Sequence, residues 1–193
     1  MHQRDEKPFL LILGGPPGAG KTTLSHRLTA QLHIPRLGAD TISRTIRASQ
    51  AYTDQTINTK WLAYDVLFQL CNQFLKAEVS TIVDVNLAGA FQWRELDLLQ
   101  QRYPLVEIVP VVLVCPREIC LERICQRYRD NPTYYDPPEY FLTKPTVQKA
   151  WAFLDQLDRP DAYLIDAARS KDDVYTDTMH YLAERLESGK RRT

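Results

Sequence analysis

The sequence predicts an α/β fold in three layers: a five-stranded parallel sheet, helices on both faces, and a short lid. Three observations predict it. Short apolar, often β-branched segments alternate with stretches of helical periodicity along the chain. A glycine-rich turn, Gly14-Gly15-Pro16-Pro17-Gly18-Ala19-Gly20, joins the first apolar segment to the first helical one. Acidic residues stand at the ends of later strands, at Asp40, Asp84 and Asp166. Strands that alternate with helices pair in parallel, and ligands of such sheets gather at the carboxyl ends of the strands.

Leu10–Leu13 reads as a buried strand, and Leu24, Leu28 and Leu32 mark one face of the helix that opens at Lys21. His33–Asp40 reads as a short second strand ending in its acidic residue, followed by a helix over Thr41–Ser49. From about Gln55 to Lys76, the residues Ile57, Trp61, Tyr64, Phe68, Cys71 and Leu75 recur in steps of four and three. That is the apolar stripe of a long helix packed on a sheet. Trp61 and Tyr64 read as core, with the lining of a substrate pocket as the alternative. Val79–Asp84 is the third strand, and a loop through Asn86 and Gly89 leads to a helix over Phe91–Arg102.

Leu105–Cys115 is the fourth strand, where Pro110 predicts a bulge or a break. Pro116 suits the first turn of the next helix. There Leu121, Ile124, Cys125 and Tyr128 form the buried face, and Arg123 and Arg127 share another face, four residues apart. Asp130–Pro145, rich in proline and tyrosine, is expected to be a mobile loop, so that about 117–145 forms the lid. A helix near Thr146–Leu157 and a strand over Ala162–Asp166 follow. A Ser170–Asp173 capping box then opens a last helix to about Glu187. The expectation is one domain, 1–193, with loose ends at 1–7 and 188–193.

A chain of 193 residues is long enough for one well-buried core and short for two. The apolar fraction of 44% and charged fraction of 25% are ordinary for a soluble globular protein. Formal net charge is zero, so no overall field draws the protein to nucleic acid or acidic membranes. No stretch approaches the apolar length that spans a bilayer, and MHQRDEKP lacks the apolar core of a secretory signal. Cys71, Cys115, Cys120 and Cys125 have neither zinc-knuckle nor redox spacing. They read as small buried hydrophobes in a reducing cytoplasm.

The glycine-rich turn carries the chemistry. Gly15-x4-Gly20-Lys21-Thr22 fits the phosphate-binding loop pattern, with a strand before it and a helix after it. Over Gly15, Pro16, Pro17, Gly18, Ala19, Gly20, Lys21, Thr22 and Thr23, main-chain N–H groups can approach phosphate oxygens. The helix that follows directs its positive dipole end at the same anion. Lys21 can reach the β- and γ-phosphates, and the Thr22 hydroxyl is placed to ligand Mg²⁺. A nucleoside triphosphate is the ligand this pattern implies. No N-K-x-D guanine motif and no L-S-G-G-Q signature occurs, and the chain is short for a ring-forming ATPase. A small phosphotransferase is left.

At this point the sequence resembles the small P-loop kinases that include polynucleotide 5′-kinase, zeta-toxin and chloramphenicol phosphotransferase-like enzymes. The matching residues are G-G-P-P-G-A-G-K-T-T at 14–23, Asp40 with Arg44 after it, T-I-V-D-V-N at 81–86, and C-P-R-E-I-C-L-E-R-I-C-Q-R at 115–127. The resemblance implies a P-loop NTPase fold, ATP and Mg²⁺ as cofactors, and transfer to a hydroxyl group. It implies Lys21, Asp40, Arg123 and Arg127 as catalytic residues, Asp40 as the general base, and Arg44 as a substrate contact. Thr22 and Asp84 would serve the metal. Helix N-capping is the alternative reading of Asp40. Arg44 follows Asp40 by four residues where polynucleotide kinases have three, which weighs against a nucleic-acid acceptor and toward a small molecule. A slow ATP-hydrolysing switch is the remaining alternative.

Overall fold

A computed structural model describes residues 7–49 and 56–190. The expectations for residues 1–6, for a helix start near Gln55 and for 191–193 lie outside the described residues. The elements run β1 (Phe9–Gly14), α1 (Lys21–Leu32), β2 (Arg36–Gly38), α2 (Ala39–Ala48), α3 (Thr59–Lys76), β3 (Thr81–Asp84) and α4 (Ala90–Arg102). There follow β4 (Glu107–Val114), α5 (Arg117–Asp130), α6 (Pro138–Thr143), α7 (Pro145–Asp155), β5 (Tyr163–Asp166) and α8 (Lys171–Lys190). All strands pair in parallel, in the order β2-β3-β1-β4-β5.

β1 is the central strand and is buried at every position, which is why it reads as an unbroken apolar run. Its alternating side chains divide the core. Leu11 and Leu13 pack with Leu24 and Leu28 of α1, Ile124 of α5 and Leu182 of α8 on one face. Leu10 and Ile12 join Leu67, Cys71 and Leu75 of α3 and Trp93 and Leu96 of α4 on the other. β1 and β3 are neighbours whose following helices, α1 and α4, leave on opposite faces. Their carboxyl ends therefore flank the crevice where ligands of open parallel sheets bind.

Local departures from the sequence expectations have physical reasons. β2 ends at Gly38, and Asp40 lies in the first turn of α2. The strand stops because its one partner, β3, stops: Gly38 is opposite Asp84. Pro110 causes no break in β4. It stands opposite Ile12, and pairing with β5 begins one residue later at Val111, so the missing N–H costs no bond on that side. α3 is capped by Asn58, whose side chain accepts from the N–H groups of Lys60 and Trp61. From that start Thr59, Ala63 and Leu67 turn inward, and Trp61 is left 53% exposed. Within Asp130–Pro145 the chain forms α6, whose Phe141 is buried in the same core layer as Ile124 of α5. Ser170 accepts from Asp173 N–H at 3.1 Å and donates to its carboxylate at 2.8 Å, opening α8, which runs on to Lys190.

Cys71, Cys115 and Cys120 are buried and unpaired, and Cys125 is half-buried. Burial pushes the Cys71 and Cys120 thiols up to about 12, so they stay protonated and act as small apolar groups.

Truncating Leu11 to Ala in the doubly covered strand should cost about 2–5 kcal/mol. Leu105, 71% exposed, should tolerate the same change within about 0.5 kcal/mol. Urea unfolding of both variants checks this, and equal losses would contradict the layer assignment.

Candidate active site

The loop between β1 and α1 has a backbone that only glycine can supply at two points. Gly15 (φ 128°) and Gly18 (φ 85°) are in left-handed conformations. A Cβ on Gly15 would stand 2.6 Å from the Leu113 carbonyl oxygen, and one on Gly18 would run into that of Cys120. The Gly15 N–H donates to the Asn86 carbonyl at 2.9 Å, which ties the loop to the chain leaving β3. Inside the loop, Ala19 N–H donates to the Pro16 carbonyl at 3.2 Å. Gly20 is the N-cap of α1 and has no side chain to cap it, and no acidic residue lies in the first turn. The first N–H groups of α1, at Lys21, Thr22 and Thr23, thus have no intrahelical acceptor and suit an anion.

Lys21 folds back over this loop, its Nζ donating to the carbonyls of Gly15 (2.8 Å) and Pro16 (2.9 Å). Burial lowers the pKa of its ammonium, and the charges of Asp84 and Asp40 work against that shift. A phosphate arriving here would offer Lys21 stronger, charge-assisted partners than two carbonyls.

Asp84 is the meeting point of three elements. Its Oδ2 accepts from the Thr22 hydroxyl at 2.8 Å, from Arg36 Nη2 at 3.0 Å and from the Ser25 hydroxyl at 3.5 Å. Arg36 Nε also donates to Ser25 Oγ at 2.7 Å. With its proton given to Asp84, the Thr22 hydroxyl keeps its lone pairs for a hard cation. That donor set fits Mg²⁺ shared with phosphate oxygens. Among the described residues no group of three or more His, Cys, Asp or Glu side chains could hold a metal unaided.

Asp40 and Arg44 lie one turn apart on α2. The N-cap of α2 is Gly38, so Asp40 is not the capping residue. The Asp40 charge acts on Lys21, Tyr64 and Arg127 alike. Burial first, and then Asp40, raises the Tyr64 phenol above its usual pKa.

The fully buried residues of α5 are Cys120 and Ile124; Ile124 belongs to the face expected from the sequence, whose Leu121, Cys125 and Tyr128 are half-buried, and Cys120 adds to it. Packing of the Cys120 backbone under Gly18 sets this phase. Arg123 and Arg127, three and seven residues after Cys120, therefore flank the buried side and are themselves half-buried. Arg123 Nη1 approaches Cys115 Sγ at 3.6 Å. Arg127 lies between the rings of Tyr135 (5.2 Å) and Phe141 (5.4 Å), and its buried Nε has no hydrogen-bond partner among the described residues. Burial lowers its pKa. Arg44 stacks on Tyr134 at 4.3 Å, and Lys60 Nζ donates to Tyr140 Oη at 2.8 Å. The segment after α5 thus lies against both α2 and α3.

Sequence reasoning passed over Arg36 and gave Asn86 no role. Asn86 Oδ1 accepts from Tyr64 Oη (3.1 Å), Gln92 Nε2 (2.6 Å) and Ala88 N–H (3.3 Å), while its carbonyl holds Gly15. The Phe91 ring packs on Trp61 (4.4 Å) and Tyr64 (5.1 Å) beside it. A signal for Arg36 did exist: a charged residue in a half-buried strand segment calls for a counter-charge.

These features define a phosphate-binding α/β protein of the P-loop class. Residues 10–144 match the family AAA_33, described as AAA domain, and the chain belongs to that family. No curated protein sequence matches it. Among solved structures it is similar to a sugar kinase from Janibacter sp. HTCC2649, with 20% identity and a TM-score of 0.63 over 91% of this chain and 95% of that one. It is similar to a gluconokinase from Sinorhizobium meliloti 1021, with 16% identity and a TM-score of 0.64 over 97% and 99%. A chain of the Pnkp1/Rnl/Hen1 RNA repair complex matches at 19% identity and a TM-score of 0.56, over 81% of this chain and 48% of that one. The fold is that of small P-loop kinases. No helix among the described residues is long and apolar enough to cross a membrane.

The lowered pKa of Lys21 has a consequence for stability. In the window between that value and the unfolded value near 10.5, the unfolded chain binds more protons, so stability gains as pH rises. Relative to Lys21→Met, wild type should therefore gain stability as pH approaches 10.5. Paired thermal melts across pH check the sign, and a difference that moves the other way would contradict the burial assigned to Lys21.

Proposed function

We propose that the protein is an ATP-dependent phosphotransferase that moves the γ-phosphoryl group of ATP to a hydroxyl of a small-molecule acceptor. The observation that carries this reading is the half-buried Arg127, whose Nε has no hydrogen-bond partner among the described residues and whose charge, like that of Asp40, acts on Lys21. Transfer to an alcohol calls for a group to accept its proton, a role a carboxylate at Asp40 can take.

In this reading Gly15 to Thr23 hold the triphosphate, Asp40 takes the acceptor proton, and Arg44 holds the acceptor. Lys21 leaves the two loop carbonyls for the β- and γ-phosphates. Arg127, with Arg123 beside it, neutralises charge on the transferring group. Bound Mg²⁺ would supply further charge neutralisation, with Thr22 and Asp84 holding it or its water. Phosphoryl transfer depends mainly on such positioning and electrostatics. Segment 117–145 acts as the lid that excludes water and limits futile hydrolysis. Four unpaired thiols suit a reducing cytoplasm.

Asp40→Asn should lower transfer by about 10²–10⁴ and leave ATP affinity nearly unchanged, whereas Lys21→Ala should lose both. ATP consumption over a panel of sugars, nucleosides, aminoglycoside and phenicol antibiotics, and 5′-hydroxyl oligonucleotides measures this. Full turnover in Asp40→Asn would remove the proposed base. Arg127→Met should lose about 10³-fold or more in turnover, read from the same assay. The similarity to an RNA repair chain supports a second reading, a polynucleotide 5′-hydroxyl acceptor. That reading requires oligonucleotide phosphorylation that falls steeply with salt.

A further inference from the structure

The carboxylate at the end of β3 is already matched by a positive charge. Arg36 Nη2 contacts Asp84 Oδ2 at 3.0 Å, with the two side chains only 17% and 8% exposed. Its Nε is fixed by the fully buried Ser25 hydroxyl at 2.7 Å. The same Oδ2 also accepts from Thr22 and lies 3.5 Å from the Ser25 hydroxyl. Gly38 packs closely on this guanidinium: a Cβ there would stand 3.2 Å from Nη2. One oxygen that already serves the Thr22 hydroxyl and a full counter-charge has little attraction left for a divalent cation of its own.

We propose that Arg36 is a positioning residue that makes Asp84 an acceptor for Thr22 instead of a direct metal ligand. The site then takes a divalent cation only together with the phosphates of a nucleotide. Asp84 draws the Thr22 proton and so orients the hydroxyl lone pairs, while Arg36 keeps the carboxylate from capturing a bare cation beside Lys21. This inference rests on the reading of the loop as an ATP and Mg²⁺ site.

Mn²⁺ is the probe. Free Mn²⁺ is titrated by electron paramagnetic resonance against the full chain, alone and with a non-hydrolysable ATP analogue. Wild type should bind Mn²⁺ only with the analogue. Arg36→Gln, which keeps a planar donor and loses the charge, should bind Mn²⁺ alone at least about tenfold more tightly than wild type. Adding Asp84→Asn should remove that gain, and Arg36→Lys should behave as wild type. Tight Mn²⁺ binding by wild type without nucleotide would overturn the proposal, and that titration needs no variant to fold. Wild-type Mn²⁺ behaviour in a folded Arg36→Gln protein would overturn it equally. An analogue that never binds wild type would sink the nucleotide reading and this inference together, a result distinct from nucleotide binding that ignores Arg36.

Discussion

The buried carboxylate of Asp84 is the constraint on which the rest depends. Through one oxygen it holds Thr22 at the start of α1 and Arg36 on β2, with Ser25 beside them. Three segments far apart in sequence are thereby fixed in register at the carboxyl edge of the sheet. Two residues on, Asn86 continues the work, its carbonyl holding Gly15 and its side chain holding Tyr64 and Gln92. A carboxylate so enclosed is stable only because its partners are charged or charge-assisted. Removing any one of them would leave a desolvated charge behind.

Around this fixed centre the cations are held loosely. Arg44 and Arg127 rest on the faces of Tyr134, Tyr135 and Phe141, and Lys21 rests on two loop carbonyls. The ring contacts are each worth about 0.5–2 kcal/mol, and phosphate oxygens offer all three cations charge-assisted hydrogen bonds instead. The division is suited to phosphoryl transfer. The loop and the carboxylate are preorganised, and the positive groups are free to move onto charge when it arrives.

Much of the fold was legible because periodicity and burial act locally. The central strand, the glycine turn and the stripe from Phe68 to Leu75 follow from residue spacing alone. Features decided by a distant partner were not. Asp40 leaves the strand because β3 ends opposite Gly38. Trp61 shares a helix face with the buried Phe68, seven residues on, yet lies half exposed against the Phe91 ring. The orientation of Arg123 and Arg127 depends on where Cys120 meets Gly18. Arg36 is 48 residues from its carboxylate, a pairing that no local pattern encodes. The loop motif was thus legible in the sequence, and the arrangement of charges around it was not.

Phosphorus NMR of the full chain with Mg²⁺ and ATP, and a pool of hydroxylated metabolites of low mass, tests the central claim most directly. Phosphoryl transfer predicts that the γ-phosphorus resonance is replaced by that of a phosphomonoester as ADP forms. Inorganic phosphate as the sole product, or an unchanged spectrum in a protein that binds ATP, would contradict it.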